Sequence, residues 1–227
     1  MTDVKRHYNG AARRAQAERV REALVRVAHD LLLGGGYAAL TIPKVAQACG
    51  VSAESVYKRF AGKPALVRAV VEQALRGRGP VAAETRSDEL GTDDLQQLLR
   101  GWGRLSAEVA PLVAPILLLL RVAAAHDPEL AYLAQDLDNN RRARMTDNAR
   151  RLAGAGHLPT PMAVAQATDI LWTYSSPEVY DLLVTRSGWN LEQYATFIAD
   201  GLTAHLSPDR GDALPPPSIG KSRSGSE

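Results

Sequence analysis

Apolar positions along this chain recur three and four apart in segment after segment, the period of an amphipathic helix, and strict alternation is rare. Val20, Leu24, Val27, Ala28 and Leu31 share one stripe, which Gly34, Gly35 and Gly36 bring to an end. Two short helices follow. Thr41 is a good N-cap, Pro43 sits in a first turn where its missing N–H does no harm, and Val45, Ala46 and Cys49 form a one-sided apolar face. Gly50 stops that helix, Val51 plugs the corner, and Ser52 caps the next, in which Val56 and Phe60 point inward. Glu54 and Lys58 point about 200° away by the same periodicity, toward whatever the helix is laid against. Lys63 and Pro64 open another helix, with Leu66, Val67, Val70, Val71 and Ala74 as its apolar face. After a polar connector over 77–92, the breakers predict helices at 93–109, 111–125, 128–154, 161–186 and 191–206. Asp127, Pro128 and Glu129 supply a cap, a first-turn proline and a dipole-matched carboxylate in sequence. The β-branched residues are dispersed through these patterns, so the expected fold is all-α.

Two short helices across a glycine turn read as a helix-turn-helix, the one part of the chain that states a chemistry. The run 41–48, then Gly50-Val51-Ser52, Ser55-Val56-Tyr57, Phe60, Lys63 and Leu66, resembles the DNA-binding domain of the tetracycline-repressor (TetR) family. At motif level the resemblance covers about residues 15–75, and it extends to the rest through length and helix layout only. It implies that Ser55, Tyr57 and Lys63 contact phosphates, and that the first turns of the 52–59 helix meet base edges. The candidate DNA-binding residues are Thr41, Lys44, Ser52, Ala53, Glu54, Ser55, Tyr57, Lys58 and Lys63. Two departures stand out: Pro43 where members often carry a polar or basic side chain, and Ser55 in place of the commoner threonine.

Charge divides the chain in the same way. Residues 1–80 hold 14 Lys+Arg against 6 Asp+Glu, a net +8, whereas residues 81–227 hold 13 against 19, a net −6. A basic end suits a phosphate-facing surface and leaves the acidic part for other work. The division of labour expected is a mobile basic arm over 1–14, a DNA-binding domain over 15–76, a ligand-binding and dimerisation domain over 77–206, and a disordered Pro/Gly/Ser-rich tail over 207–227. A single cysteine, Cys49, excludes a disulfide framework, and the basic N-terminus lacks the apolar run of a signal peptide, so a reducing, cytoplasmic location is expected. The one membrane candidate, 109–125, contains Pro111, Pro115 and Arg121 and falls short of the ~20 residues a span needs.

No enzyme constellation is visible. His7, His29, His126, His157 and His205 are scattered, Asp136 and Asp138 lie on different helical faces, and the three glycines at 34–36 lack the strand and lysine of a phosphate loop. Neither a metal nor a cofactor is expected. The middle helices present Trp102, Leu105, Leu112, Ile116, Leu119, Leu120, Leu133 and Leu137, either ordinary core or a small-molecule pocket. Candidate ligand residues are Trp102, Leu105, Ile116, Leu120, Leu137, Arg141 and Trp172. Arg141 continues an apolar stripe and needs an anionic partner, either an internal carboxylate or an acidic ligand.

The last two helices carry large apolar residues beyond one stripe, and the resemblance implies that their second side packs on an identical subunit about a two-fold axis. Leu171, Tyr174, Val179, Leu182, Tyr194, Ile198 and Leu202 are the candidate dimer residues. The function expected is a homodimeric regulator of transcription, a repressor released from a palindromic operator by a small-molecule effector. The alternatives are a ligand-independent architectural DNA binder and, from the enzyme class, a small-molecule-modifying helical protein.

Overall fold

The structure is a computed structural model and describes residues 3–207, with side chains from residue 12 onward. Among the described residues it contains helices and no strand. They are α1 (Asp3–Ala39), α2 (Ile42–Ala48), α3 (Ala53–Arg59), α4 (Lys63–Leu75), α5 (Ala83–Glu89), α6 (Leu95–Ala124), α7 (Pro128–Gly154), α8 (Val164–Tyr174), α9 (Pro177–Tyr180) and α10 (Leu191–Leu206). A π-helical segment, Asp181–Arg186, continues α9.

Where caps are strong, the expected and observed elements agree. Asp127 accepts from the Glu129 and Leu130 amides to start α7, and Asn190 forms a capping box with Gln193 to start α10. Four elements differ. Of the arm expected over 1–14, residues 3–14 are the first turns of α1, and the break in α1 comes at the last of the three glycines at 34–36, Gly36, at φ 74°. The connector contains the short helix α5. The helices expected at 93–109 and 111–125 are one, running through Pro111 and Pro115. Each proline removes one intrahelical hydrogen bond. Burial of Val113, Ala114, Ile116 and Leu120 on the same stretch outweighs that loss. The helix expected at 161–186 is broken at Ser175 and Ser176, because Pro177 disfavours helical backbone in the residue before it and Ser176 caps a new start, accepting from the Val179 amide. The tail expected over 207–227 lies, apart from Ser207, outside the described residues.

α6 is the axis of the molecule and meets α1, α4, α5, α7, α9 and α10. It is long and apolar enough to cross a membrane by length and composition, which a central core helix also is. Two cores lie along it. The first joins α1, α2, α3 and α4 to Val113, Ile116 and Leu120 of α6 and to Leu130, Leu133 and Leu137 of α7. The second gathers Leu98, Leu99 and Trp102 with α7, α8 and α10. The sequence boundary at 76/77 is therefore no boundary in packing.

Candidate nucleic-acid interface and internal cavity

Ser52 Oγ accepts from the Ser55 amide at 3.1 Å and Thr41 Oγ1 from the Lys44 amide at 3.4 Å, so both helices of the turn start on side-chain caps. Gly50, at φ 64°, makes the turn between them. Val56 and Phe60 are buried beneath α3. Glu54, Lys58 and Arg59 are exposed, as is Tyr57 at 56%. Lys44 is exposed, as is Ser52 at the helix start, and Thr41 and Ala53 are half-buried. Glu54 and Lys58, one turn apart, form no ion pair among the described residues. Arg59, which the sequence reading passed over, donates to Ser55 Oγ at 2.5 Å and to the Ser55 carbonyl at 3.0 Å. The Ser55 hydroxyl is thus tied to a guanidinium on the same exposed helix.

Lys63 opens α4, but its ammonium sits 3.5 Å from the centroid of the Tyr37 ring. Burial lowers its pKa, and the charge of Asp127 acts the other way. The Tyr37 hydroxyl is pushed up to about 12 by burial first, then by Asp127 and Glu129. This pair faces the start of α7 as well as the DNA-binding domain. Cys49 is half-buried, and burial raises its thiol pKa above the ordinary value against the opposing charge of Arg26, which suits an inert core residue.

A cavity of about 440 Å³ opens between α4, α5, α6, α7, α8 and α10. Of the ligand candidates it is lined by Trp102, Leu105, Leu137 and Arg141. Ile116 and Leu120 belong instead to the first core, on the α6 face turned toward α1, α4 and α7. Trp172 does not line the cavity either; its ring lies under the guanidinium groups of Arg141 and Arg142, each 4.9 Å from its centroid. Arg141 has an internal carboxylate: Asp138 Oδ1 accepts from its Nη2 at 2.8 Å, while Nη1 donates to the Trp172 carbonyl and, at 3.0 Å, to Ser175 Oγ. Burial pulls its pKa below the ordinary arginine value, Asp138 works against that, and nearby Arg121 adds to it. Arg121 also pairs with Glu178, which joins α6, α7 and the Ser175–Ser176 break in one network.

The polar wall of the cavity was not foreseen. Arg68 pairs with Asp136 at 2.6 Å, Arg144 with Asp88 at 2.7 Å, and Arg151 donates to the carbonyls of Ser87 and Leu90, fastening α5 onto α7. No periodicity marks such partners, because they come from helices far apart in sequence. The dimer candidates divide. Leu171, Tyr194, Ile198 and Leu202 are at most 3% exposed and face the cavity or second core, so they are not a surface for a partner. Tyr174 and Val179 are half-buried, and Leu182 is exposed. The outer face of α10 presents Leu191, Gln193, Thr196 and Phe197, with Trp189 edge-on to Phe197.

A helix-turn-helix whose recognition helix offers a cap, a tyrosine and cations, set on a larger helical body with its own cavity, defines a DNA-binding regulator. Residues 24–70 match the model of bacterial regulatory proteins of the tetR family. A comparison with curated proteins finds no match. Among solved structures the fold is similar to native NalD, the secondary repressor of the MexAB-OprM multidrug efflux pump in Pseudomonas aeruginosa, at 21% identity and TM-score 0.64 over 86% of this chain and all of that one. It is also similar to SmeT in complex with triclosan, at 18% identity and TM-score 0.63 over 82% and 90%. AibR in complex with isovaleryl coenzyme A and operator DNA matches at 14% identity and TM-score 0.54 over 83% and 98%.

Proposed function

We propose that this chain is a homodimeric, cytoplasmic repressor that holds a palindromic operator through α3 and leaves it when a small molecule fills the internal cavity. The observation that carries the reading is α3 itself, with Val56 anchored in the core and Glu54, Tyr57, Lys58 and Arg59 left outward on the basic part of the chain. Thr41, Lys44, Ser52, Ala53 and Ser55 surround that face, and Lys63 stands at the start of α4. Tyr57, Ser55 and Lys63 address phosphates in this reading, and Glu54 and Lys58 address base edges. The outer face of α10, with Phe197 and Leu191, is the surface for the second subunit, since two-fold pairing of recognition helices matches half-sites one helical turn apart. Triclosan in SmeT and isovaleryl coenzyme A in AibR support an effector role for the cavity.

Selection of the full chain on a randomised duplex library tests this. The expected product is one palindromic motif, and Lys58→Ala or Glu54→Ala relaxes it at one position per half-site, by about 1–3 kcal/mol of discrimination. A library that emerges without enrichment would leave only a sequence-independent architectural binder.

A further inference from the structure

The less exposed charged groups of the cavity wall are already matched. Arg68 is held by Asp136, Arg141 by Asp138, and Arg144 by Asp88 and Glu84, while Glu72 and Arg76 stand exposed on α4 at the edge of the cavity. An anionic ligand would have to displace a carboxylate that the chain itself supplies, and a cationic one would meet the paired guanidinium groups. Two neutral polar atoms, however, lack any partner among the described residues: the donor Trp102 Nε1 and the acceptor Asn148 Oδ1. Both residues are 5% exposed and both line the cavity. A third such atom, Trp172 Nε1, belongs to a residue outside it. The rest of the wall is apolar, from Val71, Leu105, Val109, Val113 and Leu137. Buried polar atoms are nearly always hydrogen-bonded, so an unmet donor and an unmet acceptor on one cavity indicate an absent partner.

We infer that the cavity takes an uncharged, largely apolar molecule bearing a hydroxyl, which accepts from Trp102 Nε1 and donates to Asn148 Oδ1. This rests on the cavity being the effector site and names the chemistry of its ligand. The size fits a molecule of two or three rings.

Three probes on one skeleton test it: para-hydroxybiphenyl, biphenyl and biphenyl-para-carboxylate, titrated calorimetrically into the full chain at pH 7, where the phenol is neutral. Para-hydroxybiphenyl is expected to bind about tenfold more tightly than either of the others, the factor that ~1.4 kcal/mol of hydrogen bonding supplies. Trp102→Phe and, independently, Asn148→Leu should each remove most of that preference, read as the ratio of phenol to biphenyl affinity within each variant. Melting curves identify a variant that fails to fold, and the other then decides. A carboxylate that binds as tightly as the phenol, a preference that survives both substitutions, or no binding by any probe overturns the inference. The effector reading is separated by adding each probe to the complex with the selected operator. Equal binding of all three with release of DNA removes the hydroxyl inference alone. Hydroxyl-selective binding without release upholds it and removes the effector role.

Discussion

At the scale of single residues, α3 and the start of α4 carry side chains that differ in what they can say to DNA. Tyr57 and Lys63 offer a hydroxyl and an ammonium, which suit phosphates and carry no sequence information. Tyr57→Phe should therefore weaken binding by a similar factor on every duplex, as a filter-binding series on matched and random sequences would register. Lys63→Ala should lower the magnitude of the slope of log K against log salt by about 1. Because Tyr37 holds the ammonium at the start of α4, an unchanged slope would assign Lys63 to that ring contact alone. That Glu54 and Lys58 face outward was legible because Val56 and Phe60, four apart, fix which way α3 faces. The role of Arg59 was not, since its bond to Ser55 depends on a rotamer and no spacing encodes it.

At the scale of elements, close crossings and breaks decide the shape. Gly103 lets α6 and α10 approach until an added Cβ would lie 2.5 Å from the Ala195 carbonyl oxygen. Gly103→Ala should destabilise the chain by about 1–3 kcal/mol, because a backbone atom has to move. At Gly101 the nearest obstacle is the flexible end of Leu90, so Gly101→Ala should cost less, and paired thermal melts compare the two. Arg141 ties α7 to the end of α8. Arg141→Met should lower stability by ~1–3 kcal/mol while the unliganded protein keeps its affinity for DNA, since only its links to Asp138, Trp172 and Ser175 are lost. An unaltered melting temperature would contradict that structural role.

The bounds of α7 and α10 could be read from Asp127-Pro128 and Asn190, local signals that act within one turn. The continuity of α6 could not. Proline is a strong local breaker, and only burial against α1, α4 and α7 overrides it. The inward turn of α10 was hidden for a similar reason: Tyr194 and Leu191 look alike as apolar residues, yet the first is 1% exposed and the second lies on the outer face.

At the scale of the whole molecule, the connector between the DNA-binding part and the rest is latched. Glu108 of α6 takes two hydrogen bonds from Arg86 and one from the Arg78 amide, and together with that amide, and against burial, Arg86 holds the Glu108 pKa at about 2, below the ordinary glutamate value of 4.5. A depressed carboxylate stabilises the folded state fully above the unfolded value and loses that contribution as pH falls from 4.5 toward 2. Glu108→Gln should therefore melt at lower temperature near neutral pH and show a shallower fall in stability across that acid window. Melting curves from pH 6 down to pH 2 for both chains would measure the difference, and parallel curves would show that the latch adds nothing.

The first core, shared between α1, α4, α6 and α7, bears on how such proteins exchange parts. A hybrid joined just before residue 77 inherits Arg78, Arg86 and Glu108 intact. It still sets a foreign α1 and α4 against Val113, Ile116, Leu120, Leu130, Leu133 and Leu137. Recombination at the point where the sequence looks most permissive thus cuts through packed side chains. The unit that can be transplanted is the helix-turn-helix part together with the matching faces of α6 and α7, so a different helix-turn-helix cannot be acquired by one clean crossover at that point.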